Sequence, residues 1–376
     1  MVDLVVVLLP MAIEDKPLLD MLIAWSSSHL SLCDDTYRIK ALEHRSTALQ
    51  SFTTSLLGTQ DCPEILLACC LVFCSISAIL GDTAGWHNHL VGAAKIIRHA
   101  GPLPCHEEGL KRLSSTYEGR WLLRNFAYHD ILMSVTADRE TLIPGRYWTS
   151  EPKTAIDSYF GLASEPMALI SRISSLNGDI IKQTDGSAHL GDSDTTSSSS
   201  PGDQDIESLS SRMRDSSLTA YAIEFELHDW TCPESNDPCL VSLAKAYRSA
   251  ALIYLYRVMR RHLPGSRADV DEKIPSQATA VVHHLNQMPL KCLPECTSLF
   301  PLFMAGGETR NKPEMCFIRE RLQHIATYRY FHNALSALTV LEELWLQHTS
   351  MTGLVTSEPL DWLDILKRRD WCLALS

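Results

Sequence analysis

Apolar residues recur along this chain at the intervals of α-helices, and no alternating pattern typical of β-strands persists. The clearest example is the segment 81–101. Its apolar stripe consists of Trp86, Leu90, Ala93 and Ile97. A polar stripe on the same segment consists of Asn88, Lys95 and His99. Stripes with this spacing indicate a helix that turns one face to a core and another to solvent.

The ends of this helix are also marked in the sequence. Asp82 or Thr83 can accept hydrogen bonds from the free N–H groups of a first helical turn. Gly101 can take the left-handed conformation that ends a helix, and Pro102 prevents its continuation. Because an apolar helix-like run, 62–80, comes directly before, the pattern predicts a helical hairpin.

Further periodic segments predict more helices on both sides of this hairpin. They are 17–32, 37–57, 121–136, 240–262, 270–288 and 314–347, the last of which holds one long helix or two. We expect the first two to pack as an antiparallel pair. One face of the second is predicted to carry Leu42, Leu49, Phe52 and Leu56. Together these elements predict an all-α fold, a large irregular body of many helices.

A polar segment, 183–217, interrupts this pattern and contains four consecutive serines. Such a composition cannot bury enough apolar surface to offset the entropy of ordering the chain. We therefore expect a disordered, Ser-rich internal loop inside one domain that spans 1–376. A phosphorylated regulatory loop is the functional alternative for the same segment.

Composition and charge narrow the range of functions. The chain has 376 residues and a net charge of −12. Its densest basic clusters are Arg257, Arg260, Arg261 and Lys367, Arg368, Arg369. We interpret both clusters as solvated helix ends, where cations favour the negative end of the helix dipole. Because DNA binding needs a basic stripe that displaces counterions, the chain alone is predicted to bind nucleic acid poorly.

The longest apolar run, 65–80, is shorter than the roughly 20 residues that a membrane span requires, so no membrane role is expected. The chain has 12 cysteines, but no Cys-x2-Cys pair of the kind that holds zinc. The nearest approaches are Cys292 with Cys296, and the group Cys69, Cys70 and Cys74. We interpret both as reduced core thiols and predict no metal site.

No local motif indicates a catalyst. The sequence lacks a Gly-x-Ser-x-Gly elbow, a Walker-type phosphate loop and a Gly-x-Gly-x-x-Gly turn. Tyr128, His129 and Asp130 are consecutive, and neighbours on a helix cannot converge on one substrate. The prediction is therefore a protein without enzymatic activity and without a cofactor. Scattered catalytic residues leave no local motif, so an enzyme that reuses the helical body stays an alternative.

Several of these segments resemble, in order, the fungal-specific transcription factor domain, the helical body that follows a zinc binuclear cluster in many fungal regulators. The resemblance rests on GDTAGWHNHLVGAA at 81–94, WLLRNFAYHD at 121–130, AKAYRSAALIYLYR at 244–257, LFPLFMAGGET at 299–309 and DWLDILKRRDWCLAL at 361–375. It covers nearly the whole chain.

The resemblance implies a transcription regulator that acts in the nucleus and controls a metabolic or secondary-metabolite gene cluster. It also implies a protein partner, either in a homo- or heterodimer or in the transcription machinery, and a possible small-molecule effector. Contact with DNA would require a zinc cluster that is restored upstream or supplied by a partner. The alternative is a protein that lacks the cluster and acts as a partner or competitor of a full-length regulator, by protein–protein interaction only.

Three explanations account for the missing zinc cluster. The gene model omits an upstream exon, the protein truly lacks the cluster and works through a partner, or the gene is a decayed duplicate. The first explanation predicts an in-frame upstream exon that encodes two Cys-x2-Cys pairs among Lys and Arg residues. Transcript sequencing that finds no such exon would remove it.

An effector pocket, if the body has one, is expected between three segments that combine aromatic and small residues, as apolar pockets do. Its candidate residues are Trp86, His89, Phe126, His129, Phe300 and Phe303. Core packing explains the same composition equally well.

Overall fold

The computed structural model describes residues 4–57, 62–148, 156–189, 203–350 and 361–376. Within these ranges the chain forms 15 α-helices and no β-sheet. The helices are α1 (Leu9–Glu14), α2 (Lys16–Cys33), α3 (Arg38–Leu57), α4 (Pro63–Ile79), α5 (Trp86–His99), α6 (His106–Ser114), α7 (Tyr117–Thr136), α8 (Ser164–His189), α9 (Asp203–Asp229), α10 (Pro238–His262), α11 (Arg267–Asn286), α12 (Leu299–Glu308), α13 (Lys312–Tyr328), α14 (Asn333–Ser350) and α15 (Trp362–Arg369). The predicted all-α fold is confirmed.

The helices pack around two hydrophobic cores that share α7. Helices α1–α7 surround the first core, and α8–α15 surround the second. From 121 to 136, every residue of α7 except Arg124 is buried. One side of α7 supplies Trp121, Leu122 and Phe126 to the first core, and another side supplies residues such as Ile131 to the second. A helix that is apolar all round must be covered on all sides, so α7 holds the two halves together.

The predicted hairpin corresponds to α4 and α5, and its predicted stripe is confirmed. All four of its members are fully buried, namely Trp86, Leu90, Ala93 and Ile97. The Asp82 carboxylate accepts hydrogen bonds from the Ala84 and Gly85 amides, each at 2.9 Å, just before α5 begins.

The prediction for Gly101 is wrong, because the left-handed glycine of this hairpin is Gly81, with φ of 73°. At Gly101 the constraint is instead a close approach of backbone. A Cβ there would lie 2.7 Å from the Glu108 carbonyl carbon.

Helices α2 and α3 form the predicted pair, but the predicted apolar face of α3 is wrong. Leu42, Leu49 and Leu56 are exposed, and only Phe52 of the predicted set is buried. The buried face of α3 consists of Ala41, Ala48 and Phe52. Small residues permit a close approach to α2, and this close packing leaves the larger leucines facing outward.

The predicted disordered insert, 183–217, is too long at both ends. Helix α8 continues to His189, and α9 begins at Asp203. The end of this range is helical because Ser216 begins a buried stripe that continues beyond it at intervals of three and four, through Ala220, Ile223 and Leu227. The four serines lie in 190–202, outside the described residues.

The segment 314–347 holds two helices, α13 and α14, with Tyr330 between them at φ of 57°.

The interpretation of Arg257 as a solvated helix end is wrong. Its guanidinium is buried, pairs with Glu308 and contacts both Asp361 oxygens at 2.5 and 2.7 Å. It also lies 4.5 Å from the centre of the Trp362 ring. Burial opposes the charge, but the two carboxylates outweigh it and raise the pKa of Arg257. This ion-pair network joins α10, α12 and the start of α15.

Two helical glycines form a matched test of the packing between α5 and α6. A Cβ at Gly109 would lie 1.6 Å from the Ile97 carbonyl oxygen, whereas a Cβ at Gly92 would lie 3.7 Å from the Cys70 sulfur. Gly109→Ala is therefore expected to lower the free energy of unfolding by about 2–3 kcal/mol. Gly92→Ala is expected to leave it unchanged or raise it by up to about 1 kcal/mol, because alanine favours the helix. Urea denaturation of the two variants checks this, and equal midpoints would contradict the packing described.

Candidate functional site

A cavity of about 310 Å³ lies where the two cores meet. Helices α4 and α7 line it from the first core, and residues 296–297 and 331–333 line it from the second. Most of its wall is apolar, and five aromatic side chains contribute to it: Trp25, Trp121, Tyr128, Tyr159 and Phe331. Concave, largely apolar cavities of this size are typical small-molecule sites.

One face of α7 brings three polar side chains to this cavity. Trp121, Asn125 and His129 follow one another at intervals of four residues, so they lie on the same face of the helix. The remainder of α7 packs into the two cores. Since α7 is covered on all sides, these polar groups must find their partners inside the protein or in a bound molecule.

Residues 371–376 run along the boundary between the cores and are held from both sides. The Trp86 indole N–H donates to the Cys372 carbonyl at 2.6 Å, and the Thr136 hydroxyl donates to the Leu373 carbonyl at 2.9 Å. From the second half, the Asn333 amide donates to the Ala374 and Ser376 carbonyls at 3.0 and 3.2 Å.

The same segment reaches the cavity itself. His129 Nδ1 lies 2.6 Å from the Ser376 hydroxyl, and Ser376 and Asn333 both line the cavity. Segment 371–376 therefore joins the cavity wall to α5, α7 and α14. A change in the cavity can reach all three helices through these hydrogen bonds.

Three residues in the cavity wall each hold a buried polar atom without a hydrogen-bond partner. These atoms are the Trp121 indole nitrogen, Asn125 Oδ1 and Asn333 Oδ1. The three residues are 2%, 7% and 6% exposed, respectively. Leaving one buried polar group unpaired costs about 1–3 kcal/mol, so most such groups in proteins have partners. These three atoms are buried beneath the cavity surface, so they mark incompletely paired polar side chains in its wall.

The described side chains that line the cavity are uncharged near pH 7. No Asp, Glu, Lys or Arg occurs among them. Burial lowers the pKa of His129 to about 4, so its imidazole is uncharged at neutral pH. Burial also raises the pKa of Tyr128, whose hydroxyl lies 3.5 Å from the Tyr247 hydroxyl. The side chains of the wall therefore offer aromatic surface and polar groups without a charge of their own.

Of the six residues predicted for an effector pocket, only His129 lines this cavity. Trp86 and Phe126 are buried in the first core, and Trp86 reaches the boundary through its bond to Cys372. His89 stacks on Phe73 with ring centres 5.0 Å apart.

Phe300 and Phe303 belong to the second core. Phe300 stacks on Tyr247 at 5.8 Å, and Phe303 meets Trp362 edge-on at 5.1 Å. The structure therefore places these two phenylalanines in core packing, which was the alternative left open for them.

Sequence reasoning missed Trp121, Asn125 and Asn333. A signal for the first two is present, because they precede the predicted His129 by eight and four residues and therefore share its face of the helix. Asn333 carries no such signal, since it is separated from α7 by about two hundred residues and only tertiary packing brings it to the cavity.

Cys69, Cys70 and Cys74 are buried in the first core, as predicted, and burial raises the pKa of Cys70 to about 12. In the part of the chain that the structure describes, no group of three or more His, Cys, Asp or Glu side chains could hold a metal ion. Nor is any helix in those ranges both long and apolar enough to cross a membrane.

Comparison with known protein families identifies the chain. A family model described as the fungal specific transcription factor domain matches residues 4–376. The chain belongs to this family, which confirms the resemblance seen in the sequence. No curated protein and no solved structure matches the chain. The family supports a role as a transcription regulator.

The buried imidazole of His129 makes a prediction about pH. The ordinary pKa near 6.5 is lowered to about 4 in the folded protein, so between these values only the unfolded chain binds the proton. As the pH falls through this window, the wild type should therefore lose up to about 3 kcal/mol of unfolding free energy relative to His129→Gln.

Denaturant unfolding of both proteins at pH 7 and pH 4.5 measures this difference. The matched control is His99→Gln, which removes a histidine at an exposed position of α5. A constant difference between wild type and His129→Gln over this pH range would show that His129 is not buried in neutral form.

Proposed function

We propose that this chain is the effector-sensing body of a nuclear transcription regulator that controls a metabolic gene cluster, such as one for secondary metabolism. Membership of the fungal transcription factor domain family supports the regulatory role. The cavity between the two cores supports effector sensing. DNA contact is made by a zinc cluster that belongs to the same regulator or to a partner.

The observation that carries the sensing role is the cavity of about 310 Å³ between the two cores, with Asn125, His129 and Asn333 in its largely aromatic wall. The cavity is lined from both cores, so a ligand in it contacts both halves of the body. A ligand shifts a conformational equilibrium only as far as it binds one state better than the other. A molecule that bridges α7 and α14 favours the state in which both helices contact it.

Segment 371–376 connects the ligand-bound state of the cavity to the rest of the helical body. It contacts His129 and Asn333 at the cavity and Trp86 on α5. Ligand binding therefore stabilises the segment on both halves. The arrangement of the two halves then determines which surfaces are presented to partners or to the transcription machinery.

The regulatory role is tested by deleting the gene and profiling transcripts, and by locating a fluorescent fusion of the protein. We expect a nuclear signal and altered expression of a group of metabolic genes. A strain that carries Asn125→Leu should show normal protein levels but lose much of the response. The matched control is Asn88→Leu at an exposed position of α5, which should behave as wild type. Unchanged transcripts in the deletion strain under all growth conditions would overturn the proposal.

A specific surface favours a second candidate function, pairing with a DNA-bound member of the same family. Among the residues that the structure describes, nearly half of the exposed large apolar side chains lie in the first three helices and the turn before them: Val5, Val6, Leu9, Ile13, Leu19, Ile23, Leu30, Ile39, Leu42, Leu49 and Leu56. The three leucines of α3 are spaced by seven residues, which is the spacing of a coiled-coil seam. A partner helix with the same spacing fits this face.

Pairing is tested by light scattering of the purified chain and by gel shift with a zinc-cluster regulator of the family. Leu49→Glu places a charge in the seam and should abolish any dimer or supershift. Leu218→Glu changes an equally apolar, exposed position on α9 and should have no effect. A complex that is insensitive to Leu49→Glu would place the pairing surface elsewhere.

A further inference from the structure

We infer that Cys239 and Cys292 form a reversible disulfide bond when the protein meets hydrogen peroxide, and that this bond is a redox control of the helical body. Both residues are free thiols in the structure. They are separated by about fifty residues in the sequence, so folding alone brings them together. The inference goes beyond the proposed function, since it concerns a covalent modification of the chain and not the effector.

The two thiols are hydrogen-bond partners at the edge of the second core. Cys239 is the second residue of α10, and Cys292 comes directly before a short 3₁₀-helix, Leu293–Thr297. The Ser242 hydroxyl donates to Gln287 Oε1 at 3.3 Å, and this bond holds the beginning of α10 against the segment that leads to Cys292. Two thiols in this contact need only a small further approach to form a sulfur–sulfur bond of about 2 Å.

An oxidant in solution can reach this pair. Cys239 and Cys292 are both partly exposed, whereas Cys69, Cys70 and Cys74 are buried in the first core. Among the described residues, no third His, Cys, Asp or Glu joins the pair to hold a metal ion. Two accessible thiols in contact, without further metal-ligating side chains, favour a disulfide over a metal site.

The environment of Cys292 indicates which sulfur reacts first. Burial and the neighbouring Cys239 raise the pKa of Cys292 to about 11, so Cys292 stays protonated near neutral pH. The attack on the peroxide is therefore assigned to Cys239. Its thiolate takes one peroxide oxygen as the oxygen–oxygen bond breaks, and a sulfenic acid and one water form.

The second step closes the bond. The Cys292 sulfur attacks the Cys239 sulfenic acid and displaces its oxygen as a second water. In total the two thiols lose two electrons and two protons, and one molecule of hydrogen peroxide is reduced to two molecules of water. An external thiol reverses the reaction by exchange with the disulfide.

The disulfide acts on a segment that belongs to the cavity wall. The turn that carries Cys292 also supplies Cys296 and Thr297 to this wall. Lys291 adopts the left-handed conformation with φ of 69°, and the Arg329 guanidinium donates to the carbonyls of Lys291 and Cys292 at 2.9 and 3.0 Å. A covalent bond from Cys292 to α10 fixes this turn to the second core, so oxidation restricts one side of the cavity.

The test exposes the purified full chain to hydrogen peroxide and maps its disulfides by mass spectrometry after digestion with trypsin. Trypsin cleaves after Lys and Arg, so Cys239 lies in peptide 215–245 and Cys292 in peptide 292–310. We expect one link between these two peptides and the loss of two of the 12 thiols. Dithiothreitol should restore both thiols. The oxidised chain should melt at a higher temperature than the reduced chain, because the cross-link restricts the unfolded state.

Four serine variants assign the link, and the same peptides supply matched controls. Cys232 shares the first peptide with Cys239, and Cys296 shares the second with Cys292. Cys239→Ser and Cys292→Ser should each abolish the link, whereas Cys232→Ser and Cys296→Ser should keep it. Thermal melting in reducing buffer establishes that each variant is folded. Fragmentation of the linked wild-type peptides locates the bridged sulfurs independently of any variant.

The inference is overturned if the first disulfide joins another pair, such as Cys292 and Cys296. It is also overturned if excess peroxide leaves the thiols unchanged or converts them to sulfinic acids without a link. These outcomes are distinct from failure of the proposed function. Unchanged transcripts after gene deletion would remove the regulatory role and leave the mapped disulfide unaffected.

Discussion

From 121 to 136, helix α7 buries every residue except Arg124, and the rest of the body depends on this constraint. Its apolar residues fill two cores at once, so the helices before it and after it must pack against opposite sides. Its polar residues must then be satisfied internally. The Asp130 carboxyl accepts the Leu142 and Ile143 amides at 2.8 and 3.1 Å, while burial raises its pKa to about 7. Ser134 donates to Ser174 on α8 at 2.7 Å.

At the cavity, the polar residues of α7 are only partly paired with other groups of the protein. Trp121 and Asn125 lie on a stretch of α7 that lines the cavity between the two cores. Elsewhere along the boundary, segment 371–376 fills the space and exchanges hydrogen bonds with both halves. The aromatic wall, its polar side chains and the contact with this segment occur together. A regulatory body that responds to a small molecule needs such a place, where one ligand touches both halves.

Local pattern predicts much of this fold, and tertiary contact decides the rest. The stripe from Trp86 to Ile97 could be predicted because an amphipathic helix needs only its own sequence to define a buried face. The face of α3 could not, because its small residues, Ala41 and Ala48, pack more closely than its leucines do. Arg257 looked like a solvated end because Glu308 and Asp361, which bury and pair it, are distant in the sequence.

The residues of the candidate site were likewise predictable only where the local sequence pattern defines them. His129 was predicted from the sequence, and Asn125 follows from the same helical face. Asn333 reaches the cavity only through the packing of α14, and the unpaired state of its oxygen depends on bonds to Ala374 and Ser376. In the sequence, fully buried aromatic residues such as Phe300 look the same as the aromatic residues of a pocket. Composition alone therefore does not distinguish a packed core from a pocket.

The central claim is that the space between the two cores is a ligand site. A crystal structure of the full chain purified from its own cells, without added ligand, tests it most directly. The account predicts electron density for a bound small molecule among Trp25, Tyr159 and Phe331. A structure in which the cavity is closed, or holds only water, would contradict it.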